Sequence, residues 1–135
     1  MPKNNISEKT KLSFDLLGKA LDRLYEILQR PLDADRANID ASIQRFEFCI
    51  ELFWKALKRL LFDLGQEATY PKEILREAYQ GHLIDDELQW LAMLADRNQT
   101  SHTYNEELAD QIYEKIKTHY QVMHATHDAL LKRYF

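Results

Sequence analysis

Only three glycines and three prolines punctuate this chain of 135 residues. Between them run long stretches rich in Leu, Ala, Glu, Lys and Arg, the side chains that lose least on entering a helix. That pattern predicts an all-α fold. The apolar spacing divides the chain into about five helices. The first starts near Ser7, with Glu8 in its first turn, and runs to about Gln29. It carries Phe14, Leu17, Leu21, Leu24 and Leu28 at alternating steps of three and four, and Pro31 closes it. The second runs from about Asp35 to Leu64 on a stripe of Ile39, Ile43, Phe46, Ile50, Phe53, Leu57, Leu60 and Leu64, with Gly65 placed to end it. Pro71 suits the first turn of a short third helix through about Tyr79, which Gly81 ends. A fourth begins after Asp85, an N-cap candidate, and carries Leu88, Leu91, Ala92, Leu94 and Ala95 towards Arg97. A fifth opens near Thr103, where Thr103 and Glu106 have capping-box spacing, and continues through Ala109, Ile112, Ile116, Tyr120, Met123 and Leu130. Short connections join antiparallel neighbours, which predicts an up-and-down bundle.

Off the main stripe of the second helix lie Phe48, Leu52, Trp54, Leu61 and Phe62. An apolar surface spread so far round one helix marks a central helix or a subunit interface, so a dimer is expected. The length fits a single domain over residues 1–135, with no repeat or flexible linker. A net charge of −4 argues against a protein that coats nucleic acid nonspecifically, so any such contact must be local. Cys49, the one cysteine, lies in the apolar run Phe48-Cys49-Ile50 and reads as a core residue, which fits a reducing compartment. The polar start MPKNNISEKTKLSF, and the lack of any apolar stretch near the ~18 residues of a membrane span, predict no signal peptide, no membrane helix and a cytoplasmic protein.

The informative segment is Arg97-Asn98-Gln99-Thr100-Ser101-His102-Thr103-Tyr104. On an unbroken helix Arg97 and His102 would point about 140° apart, so a shared site requires a break. The polar run from Asn98 to Ser101 supplies one, because Asn, Thr and Ser compete for backbone hydrogen bonds. A new first turn beyond it, with Arg97 and His102, would make a pocket suited to phosphate, and Tyr104 would sit beside it. A guanidinium to stabilise phosphorane charge and an imidazole titrating near neutrality are what metal-free RNA cleavage needs. A two-fold dimer with two copies of the motif across one groove would supply both a general acid and a general base. The bland alternative is a capping or ion-pairing arrangement. Asp85, Asp86, Glu87 and Asp96 precede the motif and Glu106, Glu107 and Asp110 follow it, which disfavours RNA unless folding turns these side chains away or Arg97 pairs with one of them.

Elsewhere the bland readings prevail. His119 and His124 face about 140° apart on a helix, and no cysteine or carboxylate set completes a metal site with them or His127. Lys55, Lys58 and Arg59 beside Trp54 form a possible nucleic-acid patch, but such cations on an amphipathic helix are usually solvated. Trp90, Tyr113 and Tyr120 read as packing residues. No Gly-rich phosphate loop, Walker-type lysine or paired nucleotidyltransferase carboxylates occur, so no cofactor is expected and nucleotide transfer would need a partner.

Arg97-Asn98 followed by His102-Thr103-Tyr104 has the form R-N-x3-H-x-Y of the Arg-x4–6-His signature and resembles the HEPN superfamily. The stretch from Leu94 to Glu107 is similar to the branch of nucleotidyltransferase substrate-binding proteins, close to the HepT-type toxins. Gln99, Thr100 and Ser101 make the intervening segment more polar than is common in the superfamily. The resemblance implies a homodimeric helical bundle partnered by a minimal nucleotidyltransferase encoded beside it. Under one reading the chain is a ribonuclease toxin of a toxin–antitoxin pair, silenced when its partner transfers AMP to a tyrosine. Under the other it is the non-catalytic substrate- or nucleotide-binding subunit of a two-component nucleotidyltransferase. By that resemblance Arg97 and His102 are the catalytic residues, Asn98 a polar support and Tyr104 the AMP acceptor.

Overall fold

The computed structural model describes residues 5–32 and 36–135, and in them the chain forms five α-helices, one 3-10 turn and no strand. α1 (Glu8–Leu28) is capped by Ser7, whose side chain accepts from the Thr10 amide at 3.1 Å. α2 (Ala37–Asp63) is followed by Gly65 at φ 91°, a left-handed conformation that favours glycine. The expected start of this helix near Asp35 lies outside the described residues. α3 (Pro71–Gln80) begins at the proline, and Glu73 accepts from the Thr69 and Tyr70 amides. Gly81 caps it, although the left-handed residue is the next one, His82 at φ 62°. α4 (Glu87–Asn98) is capped by Asp86 rather than Asp85: the Asp86 carboxylate accepts from the Gln89 amide at 3.2 Å. α5 (Glu106–Tyr134) also starts later than its sequence suggests. Asn105, not Thr103, is the N-cap, its side-chain oxygen accepting from the Leu108 amide at 3.2 Å.

The contacts give the directions of the long helices. Ser7 and Thr10 at the start of α1 bond to Asp63 at the end of α2, and Arg45 near the start of α2 donates to the Arg23 carbonyl near the end of α1, so the pair is antiparallel. Tyr25 packs on Tyr120 and Phe14 on His127, which sets α5 antiparallel to α1. Gly18 admits that crossing, because a Cβ there would stand 3.2 Å from the His127 ring. α2 packs against α1, α3, α4 and α5 and is the central helix, as its wide apolar surface predicts. Its stripe from Ile39 to Leu60 is buried with Phe14, Trp90, Ile116 and Met123, whereas Leu64 is exposed. Phe53 meets Trp90 edge to face at 4.6 Å. Cys49 is fully buried, and burial pushes its thiol up to about 12. No helix among the described residues is long and apolar enough to cross a membrane.

Candidate active site

The break between α4 and α5 forms as a short capped turn. α4 ends at Asn98, and the Gln99 amide donates to the Asp96 carbonyl. Thr100–His102 make one 3-10 turn, and the His102 amide donates to the Gln99 carbonyl. The Thr100 hydroxyl lies 2.7 Å from the Arg97 carbonyl oxygen and 3.0 Å from Glu47 Oε2, so its single proton serves two acceptors. The Thr103 hydroxyl donates back to the Thr100 carbonyl at 3.1 Å, and the Thr103 backbone, at φ −76° and ψ 1°, is not in the extended conformation of an N-cap. Side chains that would compete with a helix here instead tie off its end and hold the turn against α2.

Arg97 reaches across to α2. Its Nε donates to Glu51 Oε2 at 2.8 Å, with each side chain about a third exposed. Nη1 and Nη2 carry no hydrogen bond among the described residues. They belong to a side chain lining an open groove of about 730 Å³ between α1 and α2, where Arg23, Arg45 and Lys55 supply further positive charge, Glu47 and Glu51 negative charge, and Phe48 and Leu52 apolar surface. The first turn of α5 does not line this groove, so the expected pocket of helix-start amides around Arg97 does not form. His102 is exposed, and its ring meets Tyr104 edge-on with centroids 6.1 Å apart. Tyr104 is 84% exposed. Asn98 is exposed and its side chain makes no hydrogen bond among the described residues, and none joins Arg97 to His102.

A second network lies behind the motif. Asp96 turns inward: Oδ1 accepts from Lys115 Nζ and Oδ2 pairs with His119 Nε2, both at 2.7 Å. The Gln89 amide nitrogen lies 3.2 Å from His119 Nδ1, which fixes the tautomer with the proton on Nε2 when the ring is neutral, and the ring stacks on Phe46. Burial alone would raise the Asp96 carboxyl, but the hydrogen bonds from His119 and Lys115 outweigh it and hold the group below the usual aspartate range. Glu106 and Asp110 pair with Arg36. Three of the seven flanking carboxylates are therefore paired with cations, and Arg97 pairs with none of the seven; its partner is Glu51. Glu47 and Glu51, one turn apart on α2, carry no sequence motif that marks them as partners of the Arg97 segment.

The other histidines have local roles. His127 Nε2 lies 2.9 Å from the Phe14 carbonyl oxygen, and His124 stacks on Tyr120. Among the described residues no group of three or more His, Cys, Asp or Glu is placed to hold a metal.

Comparison with known proteins relates the chain to a family. Residues 12–133 match the family model described as nucleotidyltransferase substrate binding protein like. A Haemophilus influenzae protein named probable ribonuclease HepT is 42% identical over 85 residues, a match that spans 58% of this chain and 57% of that protein's length. Among solved structures, a Thermus thermophilus protein is similar with a TM-score of 0.78 and 36% identity, over 84% of this chain and 98% of the other. A second, from Haemophilus influenzae and described as revealing the fold of a substrate binding domain of a nucleotidyltransferase, gives a TM-score of 0.66 and 30% identity over 90% and 96%.

Proposed function

Since this chain belongs to the nucleotidyltransferase substrate binding protein-like family, we propose that it is the helical partner of a minimal nucleotidyltransferase and acts as a metal-independent ribonuclease toxin. The observation that carries the reading is Arg97: its Nε is tied to Glu51 while its two Nη groups, free of other hydrogen bonds among the described residues, line an open basic groove. A guanidinium held in this way offers a fork to a phosphate. The name of the Haemophilus influenzae relative, probable ribonuclease HepT, supports the same assignment.

In the proposed reaction the RNA 2′-hydroxyl attacks the adjacent phosphorus and the P–O5′ bond breaks, leaving a 2′,3′-cyclic phosphate and a 5′-hydroxyl. His102 removes the proton from the nucleophile or gives one to the departing oxygen, and Arg97 stabilises the phosphorane's extra charge. His102 does not line the Arg97 groove of its own chain; a homodimer would supply a second His102 for the complementary proton transfer. Phe48, 53% exposed on the groove, is apolar surface for such an interface. Asn98 is the supporting polar residue.

Control would act at Tyr104. The phenol oxygen attacks the α-phosphorus of ATP, loses its proton and expels pyrophosphate, with the partner as catalyst. The resulting adenylyl group, anionic and bulky, would stand beside His102 and repel RNA. Incubation with the nucleotidyltransferase and ATP is expected to add the mass of one AMP to the wild type and none to Tyr104→Phe. Addition elsewhere, or none to the wild type, would refute this control. The family description favours a second reading, a binding subunit whose groove holds a nucleotide; it requires neither RNA cleavage nor modification.

A further inference from the structure

The cations on the second half of α2 are better organised than a solvated face requires. Trp54, Lys58 and Phe62 follow one another at i, i+4 and i+8, and Lys55 and Arg59 make the adjacent row. With Lys9 of α1 they line a depression of about 640 Å³. Phe62 is 65% exposed at its end, and Lys55 lies over the Trp54 ring at 5.6 Å. Lys9, Lys58 and Arg59 are exposed and make no ion pair among the described residues. The one carboxylate lining the depression, Asp63, already accepts from the Ser7 amide and the Thr10 hydroxyl. A chain whose net charge is −4 thus concentrates four cations and two accessible aromatic rings in one place.

This depression adjoins the Arg97 groove. Lys55 lines both. Glu51 joins them chemically: Oε2 accepts from Arg97 Nε at 2.8 Å and from Trp54 Nε1 at 3.3 Å, and Oε1 is 4.0 Å from Lys55 Nζ. At a rise of ~1.5 Å per residue, the helix from Glu51 to Phe62 spans about 16 Å.

We propose that the α2 face from Trp54 to Phe62, with Lys9, is a binding track for single-stranded RNA leading away from Arg97. Lys9, Lys55, Lys58 and Arg59 contact phosphates, and Trp54 and Phe62 offer ring faces to bases, the combination that holds single strands without reading sequence. The proposal rests on the reading of RNA as the substrate.

The test uses the full chain carrying His102→Ala, so that binding is read without cleavage, and a fluorescein-labelled 12-nucleotide oligouridylate followed by anisotropy across a salt series. Lys58→Ala/Arg59→Ala is expected to weaken binding about tenfold at low salt and to lower the salt slope by about 1.4, two contacts at ~0.7 each. Trp54→Leu is expected to cost about fivefold. Lys72→Ala/Arg76→Ala, which removes the same charge from exposed positions on α3, should change neither quantity. Absence of RNA binding, or equal effects of the two double variants, would overturn the track. So would retained RNA affinity in Lys58→Ala/Arg59→Ala, including the case where that variant instead loses its nucleotidyltransferase partner. Cleavage is scored separately on the His102-intact chain: a track that binds as expected on a protein that does not cleave refutes the ribonuclease reading alone, and cleavage without the track's effects refutes the track alone.

Discussion

Asp96 and Arg97 are neighbours in the last turn of α4, yet Asp96 turns inward onto α5 and Arg97 outward onto α2. The inward residue fixes the position of the outward one, because the helix end that carries Arg97 is clamped through Asp96 to Lys115 and His119. Replacement of Asp96 by Ala would leave His119 buried without its main partner, and is expected to cost about 2–3 kcal/mol in urea unfolding. The pH dependence follows from the sign of the shift. The folded Asp96 carboxyl titrates below the ordinary aspartate value, so its contribution is present above that value and lost as pH falls through the lower folded one. Asp96→Asn is therefore expected to flatten stability against pH in that acid window; an unchanged acid limb would show that the network is not coupled to folding. None of this was readable from the segment alone: Asp96 counted as one of several acids near the motif, and only the fold distinguishes a buried, doubly bonded carboxylate from an exposed one.

At the level of elements, most of the bundle is legible because its signals are local. Ser7, Pro71 and Gly65 act within one turn of where they stand, and a 3- and 4-residue apolar period reports burial along a whole helix. The two misplaced starts have equally local reasons. Asp85 and Asp86 are adjacent with the same chemistry, and only the second has its carboxylate in reach of the Gln89 amide. Thr103 has the more complete capping signature, but its backbone still belongs to the preceding turn, at φ −76° and ψ 1°, and the extended Asn105 caps α5 instead. Asn105→Ala should consequently lower stability by about 1 kcal/mol in chemical denaturation, while Thr103→Ala should cost less. The reverse order would restore the sequence-based start. The Arg97–Glu51 contact had no local signal: its partners are 46 residues apart, and Glu51 is one of many surface glutamates until α2 and α4 meet.

In the whole molecule the central helix does two jobs. The buried side of α2 organises the other four helices, and its outer side presents Glu51 to Arg97 together with a groove and a set of cations. One chain supplies a single Arg97 and a single exposed His102, so the proposed reaction places its complementary acid and base in two copies of the chain. The most direct measurement is cleavage of a labelled single-stranded RNA by the purified protein in excess EDTA, with His102→Ala at the same concentration and the matching DNA alongside. The proposed reaction requires RNA cut by the wild type to 2′,3′-cyclic phosphate ends, intact DNA, and loss of cleavage in the variant. RNA left intact by the wild type, or cut equally by His102→Ala, would contradict it.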